Sequence, residues 1–148
     1  MITQFLEGTN FDNKMIFIVE DDEEYATSLE IFIRNRFSGI KEIKKFRKGE
    51  ICLFELRHDP CIIIMDYFLK PEFEKPENNL NKIKQIKVLK PKTEIIVLST
   101  HEKLNGVTET IKDYNCYYVQ KDKDTFGKVE LLIEKFLTHQ KTHGFMWN

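Results

Sequence analysis

The sequence has few of the residues that build disulfide-rich or zinc-binding proteins. Its 148 residues include three cysteines and four histidines. The cysteines are odd in number and lack Cys-x-x-Cys spacing, and the scattered histidines form no metal-ligand pattern. We therefore expect Cys52, Cys61 and Cys116 to be small buried side chains in a reducing compartment, the cytoplasm.

Long hydrophobic runs and a strong net charge are also missing. No apolar stretch approaches the ~20 residues that a helix needs to cross a bilayer. The N-terminus lacks the basic region and apolar core of a secretory signal. The 23 basic and 24 acidic side chains give a net charge of −1, which does not support nucleic-acid binding through a basic surface. We expect neither nucleic acid nor a membrane as a partner.

Strand and helix patterns alternate five times along the chain. Short apolar runs rich in β-branched residues predict strands at residues 15–19, 40–46, 61–65, 94–98 and 116–119. Amphipathic spacing predicts helices at residues 23–36, 49–57, 80–89, 102–114 and 124–139. This (βα)5 alternation predicts an α/β fold of the doubly wound, flavodoxin-like type. It has a five-stranded parallel sheet in the order 2-1-3-4-5 with helices on both faces.

The domain boundaries follow from the same patterns. Hydrophobic residues make up 41% of the chain, enough for one domain with its own core. We expect that domain at residues 15–138, preceded by a loose arm at residues 1–14. Residues 139–148 are expected to form a tail whose aromatic residues either dock on a surface or fray.

Polar residues follow the apolar runs at the ends of four predicted strands. The first strand runs into Glu20 and Asp21, the third into Asp66, the fourth into Ser99 and the fifth into Lys121. Ligand sites in parallel sheets lie beyond the carboxyl ends of the strands, and the order 2-1-3-4-5 places Asp21 beside Asp66. These side chains are therefore expected to meet at one edge of the sheet.

The residue types at this edge predict a divalent-metal and phosphoryl site. Carboxylates that lie close together need a cation to stay ionised. Oxygen ligands without thiols or imidazoles favour Mg²⁺, for which Mn²⁺ can substitute. One carboxylate is then free to act as a nucleophile, while Ser99 donates a hydrogen bond to a phosphate oxygen and Lys121 pairs with its charge.

Each of these residues taken alone also has an ordinary structural explanation. Asp21 and Asp22 can begin a helix as first-turn acids, and Ser99 can be a helix cap. Asp66 can be a turn residue and Lys121 a surface charge. Tyr118 can be a core aromatic with a hydrated hydroxyl. The functional interpretation depends on these residues occurring together at the ends of successive strands.

In this combination the motifs resemble those of the receiver domain of two-component response regulators, the CheY-like family, over about residues 14–138. The matching segments are the acidic group at residues 19–22, Asp66 within residues 64–67, Ser99 within residues 97–100 and Lys121 within residues 118–122. The resemblance implies that Asp66 is the phosphoacceptor of a sensor histidine kinase or a histidine phosphotransfer protein.

The resemblance also implies roles for the other residues. Glu20, Asp21, Asp66 and the backbone carbonyl of Phe68 would hold Mg²⁺. Ser99 and Lys121 match the phosphate-binding pair, so that Asp66, Lys121 and Ser99 would carry the phosphotransfer.

Tyr118 matches the aromatic residue that switches together with the Ser99 hydroxyl. The output surface would be formed by the predicted helices at residues 102–114 and 124–139 with the strand at residues 116–119. A downstream protein, an effector domain outside this chain or a second copy of the chain would dock there. Such a domain is not an enzyme in the ordinary sense, because it promotes only its own phosphotransfer and dephosphorylation.

Some residues depart from the family's pattern. Glu20 stands where aspartate is commoner, and Asp122 stands where many members have a cis-proline. Thr100 stands where a smaller alanine or glycine is more usual, and it is expected to narrow the access of a phosphodonor. The bulky Phe68 is expected to shield the acyl phosphate from water, which predicts slow self-dephosphorylation.

Two other functions compete with the phosphorylated switch. One is a degenerate receiver that acts as a phosphorylation-independent protein-interaction module. The other is a flavin protein or an aspartate-nucleophile phosphatase on a similar sheet. Flavin binding needs a glycine-rich phosphate loop after the first strand, where residues 20–24 are acidic. The phosphatase would need a second aspartate at the position of Phe68.

Overall fold

Five parallel strands form the centre of the molecule. The computed structural model describes residues 14–67, 76–100 and 107–146. Its strands are β1 (Met15–Val19), β2 (Glu42–Phe46), β3 (Ile62–Asp66), β4 (Glu94–Ser99) and β5 (Tyr117–Gln120). Every neighbouring pair is parallel, and the sheet order is β2-β1-β3-β4-β5. The predicted fold class and strand order are confirmed.

Helices connect the strands and cover both faces of the sheet. They are α1 (Glu23–Arg36), α2 (Gly49–Phe54), which continues as a 3-10 turn (Glu55–His58), α3 (Pro76–Leu89), α4 (Val107–Asp113) and α5 (Thr125–Met146). Within the described parts of the chain, no helix is long and apolar enough to span a bilayer.

Alternate residues of each strand contribute to two separate hydrophobic cores. In β1, Ile16 and Ile18 pack with α1 and α5, whereas Phe17 and Val19 pack with α2, α3 and α4. A strand buried on both faces needs apolar residues at every position, because its side chains alternate between the faces. The uninterrupted runs in β1, β3 and β4 therefore reflect double burial.

Two of the three cysteines belong to the core under α2, α3 and α4. Cys52 and Cys116 are buried there as free thiols, and Cys61 is half-buried beside the first residue of β3. Burial raises the pKa of Cys52 to about 12 and that of Cys116 to about 11. The expectation of small buried side chains is confirmed for these two.

Several element boundaries differ from the predictions. Helix α3 begins at Pro76 rather than at residue 80, because a proline in the first helical turn lacks only an N–H that would have no intrahelical partner. Strand β2 begins at Glu42, after a turn in which Gly39 has a φ of 90°. The second helix continues as a 3-10 turn that ends at His58, and the C-cap Asp59 has a φ of 57°.

The last helix extends beyond the predicted end of the domain. Helix α5 continues to Met146, seven residues beyond the predicted end at residue 139, so the expected boundary of the tail falls within a helix. Residues 1–13 of the predicted arm at residues 1–14, residues 101–106, which include the start of the predicted helix at residues 102–114, and Trp147 and Asn148 lie outside the described residues.

Candidate phosphoryl and metal site

Three carboxylates converge where β1 and β3 end. Glu20 and Asp21 directly follow β1, and Asp66 is the last residue of the adjacent β3. They are only 4%, 8% and 6% exposed, and one oxygen atom of each lies within 4.8 Å of the others. The predicted placement of Asp21 beside Asp66 is confirmed.

Glu20 is held from three directions. Its backbone N–H donates to the carbonyl of Phe46 at the end of β2, at 2.8 Å. Its Oε2 accepts from the backbone N–H of Asp22 at 3.2 Å, and its Oε1 accepts from Nζ of Lys121 at 2.6 Å. Burial and the nearby Asp66 charge raise the pKa of Glu20 from 4.5 to about 7, against the opposing effect of Lys121.

The ammonium group of Lys121, the residue that follows β5, contacts two of these carboxylates. Its backbone N–H donates to the carbonyl of Ser99 at 2.7 Å, which aligns the ends of β5 and β4. Its Nζ donates to Glu20 and, at 3.3 Å, to Oδ2 of Asp66. Burial alone would lower the pKa of Lys121, but the attraction of Asp66 and Glu20 outweighs it and raises that pKa.

The remaining predicted residues lie around this cluster. Ser99 ends β4, fully buried, one residue beyond the Leu98 that pairs with Asp66 across the sheet. Tyr118 is half-buried in β5, where its side chain packs against the core under α2, α3 and α4. Phe68, whose carbonyl was a predicted metal ligand, lies outside the described residues.

The acidic residues that follow β1 have two different structural roles. Asp22 is the N-cap of α1, and its Oδ1 accepts from the backbone N–H of Tyr25 at 3.1 Å. Glu20 and Asp21 instead belong to the buried cluster. The capping explanation is therefore correct for Asp22, one residue beyond the predicted metal ligands.

Two residues near the cluster were missed by the sequence analysis. Nζ of Lys121 lies 4.3 Å from the ring centroid of Tyr25, a residue that the sequence placed only within the predicted helix at residues 23–36. Thr125, the first residue of α5, is buried and its hydroxyl bonds the loop that contains Lys121. The available signal was an aromatic residue within the first turn after the acidic group.

The donor set fits a hard divalent cation. Three buried carboxylates and one ammonium carry a formal net charge of −2 when all are ionised. Burial, and then the repulsion between these carboxylates, disfavours the ionised form, and the raised pKa of Glu20 is the result. Oxygen ligands of this kind suit Mg²⁺ or Mn²⁺, and Glu20, Asp21 and Asp66 are the residues that would hold the ion.

Comparison with solved structures gives close matches to the whole architecture. The phosphorylated cyanobacterial phytochrome response regulator RcpA superposes with a TM-score of 0.68 at 23% identity, covering 84% of this chain and 94% of its own. A CheY-like response regulator receiver domain protein from Methanospirillum hungatei JF-1 gives 0.71 at 19% identity, covering 88% and 98%. The chain has the receiver-domain fold.

A third receiver domain agrees with the first two. That of nitrogen regulatory protein C, in its apo form, gives a TM-score of 0.70 at 21% identity, covering 86% of this chain and 97% of its own. No family model matches the sequence, and no curated protein matches it. The likeness to receiver domains is therefore one of fold, and the predicted resemblance is confirmed at that level.

Proposed function

We propose that this chain is a phosphorylation-controlled receiver domain of a two-component system, working in the cytoplasm. Asp66 accepts a phosphoryl group from the phosphohistidine of a sensor histidine kinase or a histidine phosphotransfer protein. Glu20, Asp21 and Asp66 hold Mg²⁺ or Mn²⁺, together with the carbonyl of Phe68.

One observation carries the proposal. The carboxylate of Asp66 is buried between two other carboxylates, within 4.8 Å, and an ammonium group 3.3 Å from its Oδ2. An aspartate that serves only in a turn is exposed, because its burial beside other negative charges would cost free energy. The arrangement suits a nucleophile whose product carries more negative charge than the carboxylate itself.

The proposed transfer forms one bond and breaks another. An oxygen of Asp66 attacks the phosphorus, the P–N bond to the donor imidazole breaks, and an acyl phosphate remains on the protein. The bound cation would neutralise charge on the phosphoryl oxygens during this transfer. Lys121 would turn one N–H from the carboxylate to a phosphoryl oxygen, and Ser99 would donate its hydroxyl to another.

Phosphorylation is proposed to act through the surface formed by α4, β5 and α5. Ser99 ends β4, and the backbone of Lys121 bonds to it, so movement of the hydroxyl towards a phosphoryl group is coupled to β5. Tyr118 lies on that strand and would change its packing when Ser99 moves. Phosphorylation would then increase the population of the form that a downstream protein, an effector domain or a second copy binds.

The test is phosphorylation by acetyl phosphate with Mg²⁺, followed by intact-mass spectrometry. The wild-type chain should gain the mass of one phosphoryl group, and Asp66→Asn should gain none. Asp59→Asn is the matched control, because Asp59 precedes β3 at the opposite edge of the sheet and its left-handed backbone suits asparagine.

The same experiment separates the two receiver functions. Uptake that disappears in Asp66→Asn and survives in Asp59→Asn supports the phosphorylated switch. A wild-type chain that gains no phosphoryl group would contradict it and favour the phosphorylation-independent interaction module.

A further inference from the structure

The Lys121 side chain has an aromatic neighbour as well as its two carboxylates. Its Nζ lies 4.3 Å from the ring centroid of Tyr25, a distance at which a cation is attracted to the face of the ring. The side chain of Lys121 is only 14% exposed, so bulk water weakens this attraction less than it would at an open surface. Two carboxylates and one aromatic ring therefore surround one ammonium group.

The ring of Tyr25 is itself held in place. The residue lies in the first turn of α1, where its backbone N–H donates to the N-cap Asp22. Its ring packs edge-to-face on Phe126 of α5, with centroids 5.6 Å apart and planes at 73°. The position of the ring is thus determined by the packing of α1 against α5.

The loop that contains Lys121 is held by Thr125, the buried first residue of α5. The Thr125 hydroxyl accepts from the backbone N–H of Asp122 at 2.7 Å and lies 2.9 Å from the carbonyl oxygens of both Gln120 and Asp122. The residues on both sides of Lys121 are therefore tied to the start of α5, the helix on which the Tyr25 ring packs.

We propose that Tyr25 is a positioning residue for phosphoryl transfer, and that its ring holds the Lys121 ammonium over Asp66. The inference rests on the proposed function, because the chemistry it serves is phosphorylation of Asp66. A lysine side chain has four rotatable bonds and otherwise samples many rotamers, including ones directed towards water.

An aromatic face suits this role better than another hydrogen-bond acceptor would. The attraction between a cation and a ring has no fixed donor direction. All three N–H groups therefore stay available to donate to carboxylate or phosphoryl oxygens. The ammonium can therefore turn from a carboxylate oxygen to a phosphoryl oxygen without leaving the ring. A further carboxylate at this place would instead compete with the phosphoryl group and add negative charge.

The variants that test this are Tyr25→Phe, which keeps the ring, and Tyr25→Leu, which removes it. Phe32→Leu is the matched control. Phe32 is on the same helix, its ring packs on the same Phe126 at 5.3 Å and carries Arg36 at 4.5 Å, but it is not among the groups around Lys121. It therefore controls for loss of a ring and of a cation contact at the interface between α1 and α5.

Two measurements are made on each variant. The first is the initial rate of phosphorylation by acetyl phosphate with Mg²⁺, which we expect to fall about five- to tenfold in Tyr25→Leu. The second is the proton chemical shift of the Lys121 ε-methylene group without phosphodonor. The ring above it should displace this resonance upfield in wild type and Tyr25→Phe, and the displacement should be lost in Tyr25→Leu.

The outcomes separate this inference from the proposed function. Near-normal rates in Tyr25→Phe and Phe32→Leu, with a slow Tyr25→Leu, support the positioning role. A rate in Tyr25→Leu equal to wild type, equal losses in Tyr25→Phe and Tyr25→Leu, or an unchanged Lys121 resonance would overturn it while leaving phosphorylation of Asp66 intact. A wild-type chain that takes up no phosphoryl group would overturn the proposed function itself, and the role in transfer with it.

Discussion

The carboxylate of Glu20 accepts a hydrogen bond from the ammonium of Lys121 at 2.6 Å, although 101 positions separate the two residues in the sequence. Their side chains are only 3% and 14% exposed. Because Asp66 shares the same ammonium, the pair is part of a cluster in which negative charge exceeds positive charge. The charge balance of this cluster determines how the protein should respond to pH, metal and mutation.

Stability without divalent metal should fall as the pH rises. The folded-state pKa of Glu20, about 7, lies above its ordinary value of 4.5, so the folded protein holds this proton more tightly than the unfolded chain. That stabilisation is complete below pH 4.5 and is lost as the pH rises through 7, a change of about 3 kcal/mol. Urea unfolding in a chelator at several pH values measures it.

The control for this pH dependence is Glu20→Gln, which keeps the shape of the side chain but cannot ionise. The difference between wild type and variant isolates Glu20 from the other titrating groups. A difference that is flat between pH 4.5 and 7, or that grows in favour of wild type, would contradict the raised pKa.

Mg²⁺ should reverse part of this loss by binding the folded state. At ten times its dissociation constant, a ligand that binds only the folded protein stabilises it by about 1.4 kcal/mol. Asp21→Asn removes one carboxylate from the cluster and should weaken the response to both Mg²⁺ and Mn²⁺. Thermal unfolding at several metal concentrations measures this.

Asp22→Asn provides the comparison for the metal response. It removes the same charge one residue away, while asparagine caps a helix as well as aspartate does. If Asp21→Asn and Asp22→Asn respond to Mg²⁺ equally, Asp21 is not a metal ligand.

Removal of the ammonium should destabilise the metal-free protein. Lys121→Met leaves Glu20 and Asp66 without the cation that both contact, which costs about 3 kcal/mol above pH 8. The cost should shrink below pH 6, since a protonated Glu20 needs no cation. Denaturant unfolding at the two pH values tests this.

Lys128→Met is the control for loss of a lysine. It removes a half-exposed lysine 3.7 Å from Asp122, and it should change the free energy of unfolding by less than about 1 kcal/mol at either pH.

Phosphorylation should alter the surroundings of Tyr118 through Ser99. Acetyl phosphate with Mg²⁺ should shift the Tyr118 ring resonances in wild type, and Ser99→Ala should reduce that shift because it lacks the hydroxyl proposed to move. NMR with labelled tyrosine measures the effect, with Tyr117 and Tyr114 assigned alongside. A full Tyr118 shift in phosphorylated Ser99→Ala would contradict the proposed coupling.

Much of the sheet could be predicted because its strands are buried on both faces. Doubly buried strands such as β1 and β3 leave continuous apolar runs, and the polar residues that end them mark the edge where Asp21 and Asp66 meet. The order of the strands then follows from few allowed connections. The sequence therefore predicted correctly which side chains meet at this edge, namely Glu20, Asp21, Asp66 and Lys121.

The position of Tyr25 could not be predicted in the same way. Helical spacing shows which face of α1 is buried, but not which residue of a distant loop that face will meet. The contact with Lys121 depends on how α1 packs against α5 and on the loop held by Thr125. The start of α3 was missed for a local reason, since Pro76 can either end a loop or begin a helix.

Because Cys52 and Cys116 are buried, their thiols can report local opening of the folded protein. Only the thiolate reacts with alkylating reagents, and with pKa values of about 12 and 11 the folded protein holds almost none near neutral pH. Alkylation therefore requires the layer formed by α2, α3 and α4 to separate transiently from the sheet, which exposes the two thiols. The rate of labelling therefore measures how often this layer opens, and a comparison with and without phosphorylation of Asp66 would show whether phosphorylation loosens it.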